Sequence, residues 1–200
     1  LQIDLSFTEP RFLDRNLSAG FDVFHKDVNQ SNRQAFRNRK TGASLRLAFP
    51  LAENLWMSTN YTLSRDEIYD VDTVLGDDGR IASRAIREAA GVTITSSIGT
   101  SIAYDARNHP RSPTSGYYIM VSSDAAGLGG DVQFVRITGE GRAYYPVTEK
   151  ITIVGRVLGG HIFGWGGDEV RLIDMFYKGG ETIRGFDRSG IGPRDLSTND

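Results

Sequence analysis

From Leu1 onward, apolar and polar residues alternate with period two along most of the chain, the pattern of a strand with one apolar face. In LQIDLSFTEP, Leu1, Ile3, Leu5 and Phe7 point one way and Gln2, Asp4, Ser6 and Thr8 the other. NLSAGFDVFH sets Leu17, Ala19, Phe21 and Val23 against Ser18, Gly20 and Asp22. ASLRLAF and NLWMSTNYTL repeat the alternation, with Ala43, Leu45, Leu47 and Phe49, then Leu55, Met57 and Tyr61, on the apolar side. It is clearest in GVTITSSIGTSIAYD, where Val92, Ile94, Ile98, Ile102 and Tyr104 oppose Thr93, Thr95, Ser97, Gly99 and Ser101. Segments at Gly116 to Ala125, Asp131 to Tyr145 and Lys150 to Trp165 continue the series. The pattern predicts about eight strands, each near the roughly 9–11 residues that a tilted strand needs to cross a bilayer.

The connections alternate as well. PRFLDR, PLAEN, RNHPRSPTSG and PVTEK are compact turns, and between them lie KDVNQSNRQ, the stretch from Ser64 to Glu88, AGLGGD and the tail after Trp165. Short turn followed by longer loop is the habit of an up-and-down meander that crosses a membrane, although AGLGGD is itself short. Aromatic residues gather near strand ends (Phe7, Phe12, Phe49, Trp56, Tyr104, Tyr117, Tyr145, Phe163 and Trp165), where rings suit the headgroup level. The same alternation also suits a soluble β-sandwich or a lipocalin-like barrel. The polar faces favour the membrane barrel: some carry small uncharged residues, and in QFVRITGEGRAYY one presents Arg136, Thr138, Glu140 and Arg142 together, as a wet lumen would. IASRAIREAAG breaks the pattern and reads as a helical turn before the clearest strand, or as an extended lead-in to it.

Composition narrows the chemistry. Two hundred residues suffice for one domain, and a net charge of −2 implies no bulk attraction to nucleic acid. Arginine far outnumbers lysine, which suits fixed planar hydrogen bonding in polar cavities. With no cysteine there is no disulfide and no thiolate metal site. His25, His109 and His161 lie on separate segments without ligand spacing, and RDEIYDVDTVLGDDGR lacks the register of a calcium loop, so no metal is expected. The glycine-rich AGLGGD and GRVLGGHIFGWGG do not lead from strand into helix, so they are not phosphate cradles. They fit places where strands bend or where another segment packs on the wall. No nucleophile elbow or catalytic carboxylate pair appears; no enzyme activity and no cofactor are expected. The chain starts at Leu1 without a signal-like segment and stops in a polar run, so both ends read as cut from something longer.

Two stretches carry a family resemblance. AYDARNHPRSPTSGYY, Ala103 to Tyr118, resembles the strand–turn–strand signature of BamA-type outer-membrane assembly barrels, the bacterial surface antigen superfamily. FYKGGETIRGFDRSGIGPRD, Phe176 to Asp195, is similar to that family's long sixth extracellular loop, with Gly179, Gly180, Ile183, Arg184, Gly185 and Phe186 at the motif positions. FTEPRFLDRNLSAGFDVF is similar to an early strand pair, so the resemblance runs over nearly the whole chain. It implies an all-β, transmembrane, antiparallel up-and-down barrel, here about eight strands of sixteen. The strands would occupy about residues 1–165 and the loop about 166–200, with the periplasmic POTRA domains and the remaining strands absent.

The function implied is non-enzymatic insertion of β-barrel proteins into the bacterial outer membrane. The partners implied are unfolded barrel clients, outer-membrane lipids and accessory lipoproteins acting through the missing periplasmic domains. Alternatives are a polypeptide-secreting relative (two-partner secretion or autotransporter assembly) and a passive porin. On the family pattern Arg184 latches inside the lumen onto a carboxylate beyond this chain, the glycines let the loop fold back, and Phe186 packs. Arg136, Glu140 and Arg142 would face the same lumen. Asp105, Arg107, Pro113 and Gly116 would shape the periplasmic turn.

Overall fold

A computed structural model describes residues 1–28, 36–71, 84–167, 169–171, 174–180, 183–186 and 190–193. The strands are β1 (Gln2–Glu9), β2 (Ser18–Val28), β3 (Arg37–Ala52), β4 (Leu55–Tyr69), β5 (Gly91–Asp105), β6 (Gly116–Ala126), β7 (Phe134–Thr148) and β8 (Ile151–Gly164). A short helix, α1 (Arg84–Glu88), precedes β5. All eight strands form a single antiparallel sheet in sequence order, each paired with the next. This is the predicted meander, left open at β1 and β8.

Register aligns the two kinds of face into continuous bands. On one side Phe7 pairs with Phe21, Phe21 with Leu45, Leu45 with Tyr61 and Tyr61 with Ile98. The row one residue away runs Thr8, Gly20, Arg46, Asn60, Gly99, Asp124 and Arg136. The first side is an apolar outer face and the second a polar inner one. A water-soluble protein of this size would hide the apolar band, but here Leu45 is 64% and Val157 76% exposed. Among the described residues the fully covered apolar side chains are Ile68, Ile86, Ala126 and Phe134, too few for a conventional core. The outer band therefore needs lipid.

Several strands exceed the expected length; β3 has 16 residues and β4, β5 and β7 have 15 each. At about 3.3 Å per residue and a tilt near 40°, such strands rise about 10 Å beyond a hydrocarbon layer of about 30 Å. Charge takes over on the outer face of β2 to β4 at that height. Arg39 Nη2 bonds Asp27 Oδ2 at 3.1 Å, Arg65 Nη1 bonds Glu67 Oε2 at 3.0 Å, and Tyr69 donates its hydroxyl to Asp27 at 2.9 Å. Matched charges keep these overhanging ends wet without an unpaired ion near the headgroups.

The segment that broke the alternation is helical at Arg84–Glu88. Ile86 packs on Ile68 of β4, with Phe36, Val71 and Ala89 around them, so α1 covers the upper inner wall. Ile81, the first residue of IASRAIREAAG, lies outside the described residues.

Candidate functional site: the inner wall and the loop after β8

Charged and hydroxyl clusters line the inner face. Arg46 reaches across Gly20 in a fork, with Nε to Asp22 Oδ2 at 2.5 Å and Nη2 to Asp22 Oδ1 at 3.0 Å. The same Nη2 lies 3.2 Å from Ser6 Oγ and from Thr8 Oγ1, tying three strands together. A Cβ on Gly20 would stand 2.6 Å from the Phe7 carbonyl oxygen and 3.3 Å from Arg46 Nη2, so the bare backbone makes room for the arginine. Lower on the wall, Ser58 and Ser101 share a hydrogen bond of 2.7 Å and Ser122 and Thr138 one of 2.5 Å.

Arg136, Glu140 and Arg142 all sit on this face of β7. Glu140 is well covered and receives two guanidinium groups, from Arg142 and, at 2.8 Å, from Arg156 on β8. Glu140→Ala strands two cations on the wall. Fully buried pairs that lose a partner cost about 3–5 kcal/mol, but Arg156 remains half exposed, so about 2 kcal/mol is expected. Urea unfolding of the full-length barrel checks it: Arg156→Ala in the Glu140→Ala background should recover part of the loss, and an unchanged midpoint for Glu140→Ala would refute the assignment.

The turn between β5 and β6 is tightly bonded. Arg107 grips Asp105 with Nε and Nη2, each at 2.7 Å, and lies 5.0 Å from the Tyr118 ring centre. The Asp105 carboxylate beside it raises the Arg107 pKa above the usual guanidinium value. Gly116 has φ +96, and a Cβ there would overlap the Ala106 carbonyl oxygen. Pro113 lies within the turn. Two residues that motif reading passed over do much of the bonding: Asn108 Oδ1 accepts the amides of Thr114 and Ser115, and His109 Nδ1 those of Arg111 and Ser112. The Asn in a Pro- and Ser-rich turn was the available signal.

After β8 the chain folds back against the inner wall. At the base, Phe176 packs over Gly160 of β8, where a Cβ would stand 2.7 Å from its Cζ, and Arg136 donates to the Asp174 carbonyl oxygen at 2.6 Å. Above it, Lys178 and Ile191 exchange backbone hydrogen bonds of 2.8 and 3.0 Å, closing the stem. Burial pushes the Tyr177 phenol up, and Gly192 fits against that ring. At the tip, Gly180 N–H donates to the Phe186 carbonyl oxygen at 2.8 Å, which holds the Arg-Gly-Phe step in a compact bend. Gly179, Gly180 and Gly185 adopt φ of +135, +58 and +88, conformations that favour glycine.

Ile183, Arg184, Gly185 and Phe186 are all exposed. Among the described residues no ion pair joins Arg184 to a carboxylate. Phe186, expected to pack, is 52% exposed. Among the described residues no cluster of metal-ligating side chains appears.

A family model described as the Omp85 superfamily domain matches residues 1–200. The outer membrane protein assembly factor BamA of Neorickettsia risticii is 29% identical over 197 residues, covering 98% of this chain and 26% of the relative. BamA of Nitratidesulfovibrio vulgaris is 31% identical over 198 residues, covering 98% of this chain and 24% of the relative. Sorting and assembly machinery component 50 homolog A of Xenopus laevis is 31% identical over 194 residues, covering 95% of this chain and 39% of the relative. The crystal structure of BamA from Haemophilus ducreyi lacking POTRA domains 1–3 shares the fold at TM-score 0.79 and 23% identity, over 96% of this chain and 38% of that one. The chain thus spans about a quarter of the length of the bacterial relatives.

Proposed function

The chain belongs to the Omp85 superfamily, and from that premise we propose that the protein of which it forms part assembles and inserts β-barrel proteins into the bacterial outer membrane. The chain itself is an integral β-barrel segment of that membrane. The observation that carries the proposal is similarity, over 95–98% of this chain, to parts of relatives named as assembly components in both bacteria and animals. In this reading the work is non-enzymatic. Clients arrive as unfolded barrel chains, lipid meets the outer apolar band, and accessory lipoproteins attach through periplasmic domains outside residues 1–200.

Within that activity, Arg184 is the tip of a latch. The motif's glycines support this, because their positive φ values let the loop bend sharply on either side of Arg184, which is exposed. Among the described residues β8 has no strand on its outer side, so further strands can extend the wall there and bring a carboxylate within reach. A charge-assisted pair in a semi-enclosed lumen is the natural use of an arginine that has no ion-pair partner among the described residues.

The test is Arg184→Ala in the full-length protein, scored by insertion of a barrel client into vesicles. Loss of insertion by about tenfold or more, with the barrel still folded, is expected from removing a charged hydrogen-bonded pair. Unchanged insertion defeats the latch. High single-channel conductance that survives the substitution, without client insertion by the parent protein, would make it a porin instead.

A further inference from the structure

The loop that follows β8 meets the inner wall well before its Arg-Gly-Phe step, and the contact centres on Arg136. This arginine has a carboxylate as its cross-strand neighbour, since Asp124 of β6 pairs with it in register. No ion pair joins the two. Instead, Arg136 Nη2 donates to the Asp174 carbonyl oxygen at 2.6 Å. Its guanidinium carbon lies 5.3 Å from the ring centre of Phe134 on the same strand and 5.8 Å from the Phe176 ring centre on the loop. Its Nε is buried without an acceptor.

The surroundings are built to receive that contact. Gly160 leaves the wall bare where Phe176 lies. Arg171 Nε bonds Asp174 Oδ2 at 2.7 Å, and the Asp174 amide bonds the Arg171 carbonyl oxygen at 2.9 Å. Asp174 is therefore held in a short turn with its own carbonyl oxygen free to accept from the wall. A guanidinium that leaves a neighbouring carboxylate for a loop carbonyl and two rings is committed to the loop.

We propose that Arg136 is a positioning residue that clasps the base of the loop to the inner wall and so sets where Arg184 can reach. This rests on the latch reading for its purpose, though not for its geometry. Tip and base have separate tasks: Arg184 engages a distant carboxylate, and Arg136 with Phe176 and Gly160 decides the direction from which the tip approaches. A guanidinium suits this place better than an ammonium, because it donates to the carbonyl while its delocalised charge still contacts the rings.

External trypsin acting on the full-length protein in the outer membrane tests the clasp, with cleavage after Lys178 or Arg184 as the readout and heat-modifiable migration as the check of barrel folding. Arg136→Ala is expected to speed cleavage about tenfold, the loss of one charged hydrogen bond with its ring contacts, while the barrel still migrates as folded. Arg136→Lys should fall between, and Asp124→Asn should match the parent. Cleavage of Arg136→Ala at the parent rate overturns the proposal. If Arg136→Ala does not fold, Phe176→Ala decides from the loop side: faster cleavage supports the clasp and an unchanged rate overturns it. Should Arg184→Ala insert clients normally while Arg136→Ala exposes the loop, the clasp stands and the latch reading falls.

Discussion

Gly127→Val is expected to destabilise the full-length barrel by about 3 kcal/mol and to shift the fluorescence of Trp165 to the red. Gly127 sits just beyond β6 with φ +125, where a branched side chain is strained. A Cβ at this position would overlap Trp165 Cζ2 and stand 3.1 Å from its Cε2. Backbone strain contributes about 1–3 kcal/mol and overpacking against a held ring about 1–3 more, less whatever relaxation the loop allows. Relaxation has its own cost. Trp165 Nε1 donates to the Ala126 carbonyl oxygen at 2.9 Å, and the Gly127 amide donates to the Ser96 carbonyl oxygen at 3.0 Å. Pushing the indole out breaks the first bond and moving the loop breaks the second.

The loop matters because β6 does not cover the full height of β5. Pairing between them stops at Ser97 and Ala126. Beyond that point Asp131 seals the exposed edge, its amide donating to the Ile94 carbonyl oxygen at 2.7 Å and its carboxylate accepting the Ile94 amide at 2.7 Å. Trp165 pins that seal from the start of the loop after β8. A Trp56→Phe background removes the other indole of residues 1–200, and the difference in emission between Trp165 and Trp165→Phe in that background reports the seat. An unchanged emission maximum together with an unchanged urea midpoint would refute the account.

These contacts show which parts of the molecule the sequence carried openly. Period-two alternation assigned faces correctly in GVTITSSIGTSIAYD, because side-chain direction in a strand follows from local geometry alone. Chain order, turn positions and the helical interruption at Arg84–Glu88 were legible for the same reason. Register was not. Arg46 finds Asp22, Ser6 and Thr8 on two other strands only once the stagger between strands is set, and alternation is silent about stagger. The glycines were half legible. Gly127 and Gly160 do admit Trp165 and Phe176, as packing against the wall required, but Gly155 and Gly159 have open space around their would-be Cβ atoms. Arg136 was placed on the inner face, yet its use by the loop was invisible, because it depends on a long-range contact with a backbone carbonyl.

Leu45→Arg and Ser44→Arg, one residue apart on β3, are expected to differ by about 3 kcal/mol, with the leucine variant the worse. Leu45 lies between Phe21 and Tyr61 in the middle of the outer apolar band. At 64% exposure in water it would accept arginine within about 0.5 kcal/mol, as surface sites do. Facing hydrocarbon, the same substitution costs about 2–4 kcal/mol near the bilayer midplane. Ser44 faces inward with Asp22 as its cross-strand neighbour and accepts a hydrogen bond of 3.0 Å from Thr62. An arginine there forfeits that neutral bond, about 1 kcal/mol or less, and gains a carboxylate beside it. Paired unfolding titrations of the two variants in the full-length protein, refolded in lipid vesicles, measure the difference. Equal, small effects at both positions in vesicles would mean that the apolar band does not face lipid. The expected asymmetry makes lipid contact a property of one sequence parity, readable from adjacent residues of a single strand.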